Sequence, residues 1–262
     1  MKFEDIKKLS KNTNYIPGIS TYCDRWCERC SFTSQCLTYA ISKDQSEDPE
    51  SKDINNEKFW KKLMESFQIT LDLLRESAED EGIDFDKINE YDDPEEFLNT
   101  KEKASQNICT IKAEEYADRV DDWFLDAQNL IEQKLNEFSS TFQLQLPNVQ
   151  SDEIIQQLED AVETIKWYHF QIYIKLMRAV SGRQKHHSEF FEEYERDSNG
   201  SAKVALLGID RSLKAWGILL HFFTNQEDSL LNILVSLEQL KKLVENEFPS
   251  ARSFQRPGFD LS

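Results

Sequence analysis

The sequence predicts an all-α protein, an antiparallel bundle of about five long helices with an amino-terminal four-cysteine segment. Three observations point there. Only seven Gly and six Pro occur in 262 residues, too few for sandwiches, barrels or Rossmann-type sheets, which need many tight turns. Apolar residues recur at three- and four-residue steps through most of the chain after residue 57, the signature of buried helix faces. Four of the five cysteines fall between residues 23 and 36.

The expected organisation has four parts. Residues 1–41 form an amino-terminal segment with a turn at Pro17 and Gly18, followed by the cysteines. Residues 42–56, SKDQSEDPESKDINN, contain Ile54 as their one apolar residue and predict an acidic, exposed linker. Residues 57–248 form the helical body, and 249–262 a carboxy-terminal tail.

Within the body, Trp60, Leu63, Phe67, Leu71 and Leu74 predict the inner face of a first helix ending near Gly82. Pro94 suits a first helical position after Asp93. A long helical stretch runs from there to about Phe142, with a break near Ser105. Its later core face is Tyr116, Val120, Trp123, Ala127, Leu130 and Lys134. Pro147 and Ser151 lead into the next helix, with Asp152 and Glu153 in its first turn. Its seam is Ile155, Leu158, Val162, Ile165, His169, Ile172 and Leu176. Leu206, Ile209, Leu213, Trp216 and Leu220 mark another helix. A last one, capped at Thr224, carries Leu230, Ile233, Leu237, Leu240 and Val244 and ends before Pro249.

The formal net charge is −18, from 49 acidic and 31 basic residues. Such a surface repels phosphate backbones and anionic lipid, so neither nucleic acid nor membrane is an expected partner; a basic protein is the partner class that the charge allows. No apolar leader opens the sequence, and no run approaches the ~20 apolar residues of a membrane span. A cytoplasmic location is expected. Thiols stay reduced there, which favours ligands over disulfides.

The cysteines stand as C-x3-C-x2-C-x5-C: Cys23, Cys27, Cys30 and Cys36. If residues 23–30 were helical, the first three would share one face. Cys36 would then return from the following turn as a fourth ligand. Four thiolates suit a [4Fe–4S] cluster or tetrahedral zinc, with free or reversibly oxidised thiols as the remaining reading. Arg25 and Arg29 alternate with the cysteines and offset thiolate charge. A four-thiolate site leaves no open coordination position, which implies a structural, electron-transfer or redox role. Cys109, beside Ile108 and Ile111, reads as an ordinary buried thiol.

The stretch CERCSFTSQC, Cys27 to Cys36, resembles the C-x2-C-x5-C iron–sulfur segment of the nucleases of CRISPR adaptation and double-strand-break processing. Phe32 matches the aromatic that often follows the second cysteine there. The resemblance covers about ten residues and implies cluster ligation by Cys27, Cys30 and Cys36. It does not extend to nuclease activity: Ser31 replaces the usual Pro, and the acidic–x–Lys strand of those enzymes is missing. C-x3-C-x2-C is also similar to the cluster motif of radical SAM enzymes, but Arg29 stands where they place an aromatic residue.

A second, enzymatic reading rests on the bundle interior. His169 lies on its helix's apolar seam, and Asp210, Lys214, Gly217 and His221 form a polar stripe at helical spacing. If these faced one another, His169 with Asp210 or His221 would form a polar active-site pocket, with the cysteine centre as scaffold. His186, His187 and Glu189 read as a hydrated helix end. No phosphate-binding loop, nucleophile elbow or H-E-x-x-H motif occurs.

Overall fold

The computed structural model describes residues 6, 8–9, 12–45, 50, 53–80, 82, 94–143, 150–184 and 191–260. Its regular elements include, among the described residues, α1 (Leu37–Gln45), α2 (Glu57–Asp80), α3 (Pro94–Ser105), α4 (Ile108–Gln143), α5 (Gln150–Arg183), α6 (Phe191–Phe222) and α7 (Glu227–Glu247), with short 3₁₀ turns at Cys27–Arg29, Thr33–Gln35 and Thr224–Gln226. No strand occurs among the described residues, and the all-α expectation is met. No helix among them is long and apolar enough to cross a membrane.

The chain divides into two compact units: residues Met1–Leu98 with Gln255–Ser262, and Asn99–Phe254. The boundary falls inside α3. Residues 57–98 and 255–262 therefore group with the cysteine segment rather than with the helices that follow.

In the second unit, α4 packs on α5, α5 on α6 and α6 on α7, and α7 returns to α4. Local signals set where these helices begin and end. The expected break near Ser105 occurs at Gln106 and Asn107. The Asn107 side chain accepts the Cys109 N–H at 2.8 Å, satisfying an amide that α4 itself leaves unpaired. Glu227 and Asp228 stand in the first turn of α7, where the helix dipole favours negative charge. The expected cap Thr224 instead opens a 3₁₀ turn, and Gln226 takes the cap position without a side-chain hydrogen bond.

The core follows the sequence pattern most closely on α7, where Leu230, Ile233, Leu237, Leu240 and Val244 are all buried. On α5 the seam is shifted. Leu158, Ile165, Ile172 and Leu176 are buried as expected, but Tyr168 takes the place of His169, which sits half-exposed at the edge. On α6, Leu206, Ile209 and Trp216 are buried with Ser212 and Leu219, whereas Leu213 and Leu220 lie at the margin. Apolar steps of three and four admit two neighbouring registers, and helix packing selects between them.

Trp216 is the hub of this core. Its Nε1 donates to the Tyr116 hydroxyl at 3.0 Å, and its ring meets Trp123 edge-on with centroids 5.1 Å apart. Burial raises the Tyr116 phenol to about 12, so it stays protonated. Gly208 allows α6 its close approach to α5. A β-carbon there would lie 3.0 Å from Tyr168 Cδ1 and 3.1 Å from Ile172 Cγ1.

One expectation fails in the first unit. On α2, Trp60, Phe67, Leu71 and Leu74 were expected to face a core, yet they are 44–57 % exposed, with Met64 beside them at 65 %. Leu63 is half-buried. Periodicity reveals that a helix has an apolar face, but carries no information about whether the rest of the unit covers it.

Two glycines of α6 should respond oppositely to substitution. Gly208→Leu is expected to destabilise the protein by about 1–3 kcal/mol through overpacking. Gly217→Ala has open space around it and should stabilise by about 0.5–1 kcal/mol through helix propensity. Thermal or urea unfolding of the two variants checks both signs.

Candidate metal centre and the bundle polar groups

The four clustered cysteines converge, but not by the single helical face expected from their spacing. Cys23–Trp26 is irregular, and only Cys27–Arg29 forms a 3₁₀ turn. The Asp24 carboxylate accepts the Trp26 N–H at 3.2 Å, and Arg25 adopts φ +58°. Trp26, at φ −83° and ψ 72°, is the centre of an inverse γ-turn closed by Cys27 N–H to Arg25 C=O at 3.0 Å. This double bend redirects the chain between Cys23 and Cys27. The Cys27–Arg29 turn brings Cys30 round, and a second, Thr33–Gln35, delivers Cys36.

Bonds across the segment hold the loop closed. Ile16 N–H donates to Gln35 C=O at 3.0 Å, and Thr38 Oγ1 donates to Ser20 Oγ at 2.8 Å. Tyr22 and Ile19 are its buried apolar anchors. Gly18 makes the expected turn at φ +72°, a conformation open to glycine at no steric cost.

Cys23, Cys27, Cys30 and Cys36 all line one small cavity, of about 20 Å³. Ile19, Trp26, Phe32, Tyr39 and Phe259 supply its apolar walls, and Asp24 and Arg25 lie at its border. Two sulfurs already accept backbone hydrogen bonds, Cys30 Sγ from Phe32 N–H and Cys36 Sγ from Tyr39 N–H, each at 3.4 Å. Cys23 Sγ lies 3.4 Å from Ser20 C=O, to which its thiol donates. Burial raises the Cys27 thiol above its ordinary value, and repulsion from Cys23, Cys36, Glu28 and Cys30 raises it further. Among the described residues, no group of three or more His, Cys, Asp or Glu is arranged to hold a metal ion.

The Arg29 guanidinium lies 4.3 Å over the Trp26 ring, which fixes the rim beside Cys27 and Cys30. Cys109 is fully buried in the other unit. Burial, with Glu247 adding to it and Arg183 opposing, raises its thiol to about 11.

The residues of the enzymatic reading are not brought together. His169 Nε2 lies 3.3 Å from Asp121, and Nδ1 lies 2.8 Å from the Lys166 carbonyl. Asp210 binds Arg252 Nη1 at 2.6 Å and Lys241 Nζ at 3.0 Å, while Arg252 reaches Glu245 at 2.8 Å. His221 is exposed and meets the Phe222 ring edge-on. Asp210 thus anchors residues 249–254, helped by Lys203 Nζ donating to Arg252 C=O at 2.6 Å. Sequence reasoning missed Arg252 because Asp210 and Lys203, which fix it against α6, lie more than 40 residues away. His186, His187 and Glu189 lie outside the described residues.

Compared with known protein families, with characterised proteins and with solved structures, the chain gives no match.

Two measurements follow from these contacts. Burial opposes ionisation of Asp210, but hydrogen bonds and charge from Arg252 and Lys241 outweigh it and lower its pKa. Its contribution is therefore present above the unfolded carboxylate value of about 3.9 and is lost as pH falls through the lower folded value. Asp210→Asn is expected to cost about 1–2 kcal/mol at neutral pH and to reduce the acid dependence of unfolding. Native metal-free protein treated with iodoacetamide at pH 8 should alkylate at the four clustered cysteines and spare Cys109, which reacts only after denaturation.

Proposed function

We propose that this is a metal-binding protein in which Cys23, Cys27, Cys30 and Cys36 hold a [4Fe–4S] cluster, with zinc as the second occupant. The observation that carries the reading is the shared cavity: four thiols from 14 residues of sequence line one apolar-walled space. The donor chemistry fits, because thiolates are the ligands of such clusters and of structural zinc. The backbone N–H groups on Cys30 and Cys36 stabilise thiolates and tune cluster potential.

The resemblance of Cys27–Cys36 to iron–sulfur segments of nucleases favours the cluster over zinc.

A centre with four thiolates has no open position for a substrate. Its role is structural, electron-transferring or redox-sensing. The helical body, whose four ring-packed helices read as an antiparallel bundle from their short connections, is its carrier. The separation of His169, Asp210 and His221 supports this reading over catalysis in the bundle.

Serine substitutions test the assignment. Cys23→Ser, Cys27→Ser, Cys30→Ser and Cys36→Ser should each lower the metal retained after anaerobic gel filtration, while Cys109→Ser retains the wild-type amount. Equal retention in all five variants would overturn the assignment.

A further inference from the structure

We infer that the carboxy-terminal segment, residues 255–260, is the closing wall of the cysteine cavity, and that Phe259 governs how tightly the centre is held. The inference rests on the four-cysteine reading above and adds residues that no spacing of cysteines implies.

Four observations place the segment there. Phe259 lines the same cavity as the four thiols. Its ring meets Phe32 edge-on, with centroids 5.1 Å apart at 72°. Phe32 lies between Cys30 and Cys36, and its own N–H is the one that bonds Cys30 Sγ. Phe259 therefore braces the residue that holds one of the sulfurs.

The third observation is that the segment is locked in this position. Arg256 grips Asp260 through Nε and Nη2, both at 2.9 Å, and its backbone N–H reaches the same carboxylate at 3.0 Å. The pair is largely enclosed, at 12 % and 22 % exposure, and the Arg256 guanidinium lies 4.8 Å over the Phe259 ring. This clasp turns residues 256–260 into a rigid hook with the aromatic ring at its tip.

The fourth is Gly258. It adopts φ +78°, and a β-carbon there would lie 3.0 Å from Ile19 Cδ1 and 3.1 Å from Ile16 Cδ1. The hook is seated against the turn that opens the cysteine segment, at a backbone conformation suited to glycine. Such contacts fit a wall built for this cavity rather than a tail resting on it.

The consequence is that the centre draws on two distant stretches of sequence. Its ligands come from residues 23–36, whereas the wall that keeps solvent from them comes from residues 255–260. Stable metal retention then requires residues 255–260, and cleavage ahead of them would release the centre without touching a ligand.

The test compares wild type, Phe259→Ala, Phe259→Leu and Asp260→Asn, each as the full chain with unchanged far-ultraviolet circular dichroism. One arm reconstitutes each protein anaerobically with ferrous iron and sulfide, then follows cluster absorbance under excess chelator. The other alkylates the metal-free protein with iodoacetamide and follows Cys30 by mass spectrometry. Phe259→Ala is expected to speed both cluster loss and Cys30 alkylation about three- to tenfold, the equilibrium weight of one aromatic pair. Asp260→Asn should act in the same direction, and Phe259→Leu, which keeps apolar bulk but loses the ring pair, should fall between wild type and Phe259→Ala. Equal rates for wild type and Phe259→Ala in both arms would overturn the inference. A wild type that takes up no iron and sulfide would instead count against the cluster, while the alkylation rates would still decide whether the segment is a closing wall.

Discussion

The Cys27 thiol, raised by burial and by repulsion from each of its three cysteine neighbours, shares one cavity with them. The turns of the cysteine segment impose that closeness. In the proposed metal centre, a bound cation would turn that repulsion into attraction. The bends at Arg25 and Trp26, the two 3₁₀ turns and the Ile16–Gln35 bond all serve that convergence. An Arg at φ +58° is a local strain of the kind that accumulates where geometry is set by a site.

The second unit is built on a different principle. Its helices close a ring around an apolar interior in which Trp216, Tyr116 and Trp123 interlock, and its polar groups pair off at the edges. Asp210, at first sight a candidate for chemistry, is consumed by Arg252 and Lys241. His169 turns to Asp121 and a backbone carbonyl. These charged groups hold helices and residues 249–254 in place.

How far the residues alone reveal this structure depends on whether a feature is local. Helix existence is legible from periodicity, and the whole buried face of α7 can be read off as Leu230 through Val244. The ambiguity on α5 between Tyr168 and His169 is one residue wide, and only the fit of α6, with Gly208 against Tyr168, resolves it. The candidate ligands are legible because cysteine is scarce and clustered. Their mode of convergence is not, because nothing in the letters shows that Arg25 takes a left-handed conformation. Phe259 is less legible still: it is more than 220 residues from Phe32 in sequence and becomes part of the site only through the fold. The outward apolar face of α2 shows the same limit from the other side, since a helical pattern does not name what will cover it.

All of this turns on whether the shared cavity holds a metal. The most direct measurement is the content of iron, zinc and acid-labile sulfide in protein purified under strict exclusion of oxygen. The expected result is about four iron and four sulfide per chain, the composition of one cubane; about one zinc without sulfide would identify the second occupant of the same ligands. Neither iron nor zinc at stoichiometric level would contradict the assignment of a metal centre to Cys23, Cys27, Cys30 and Cys36.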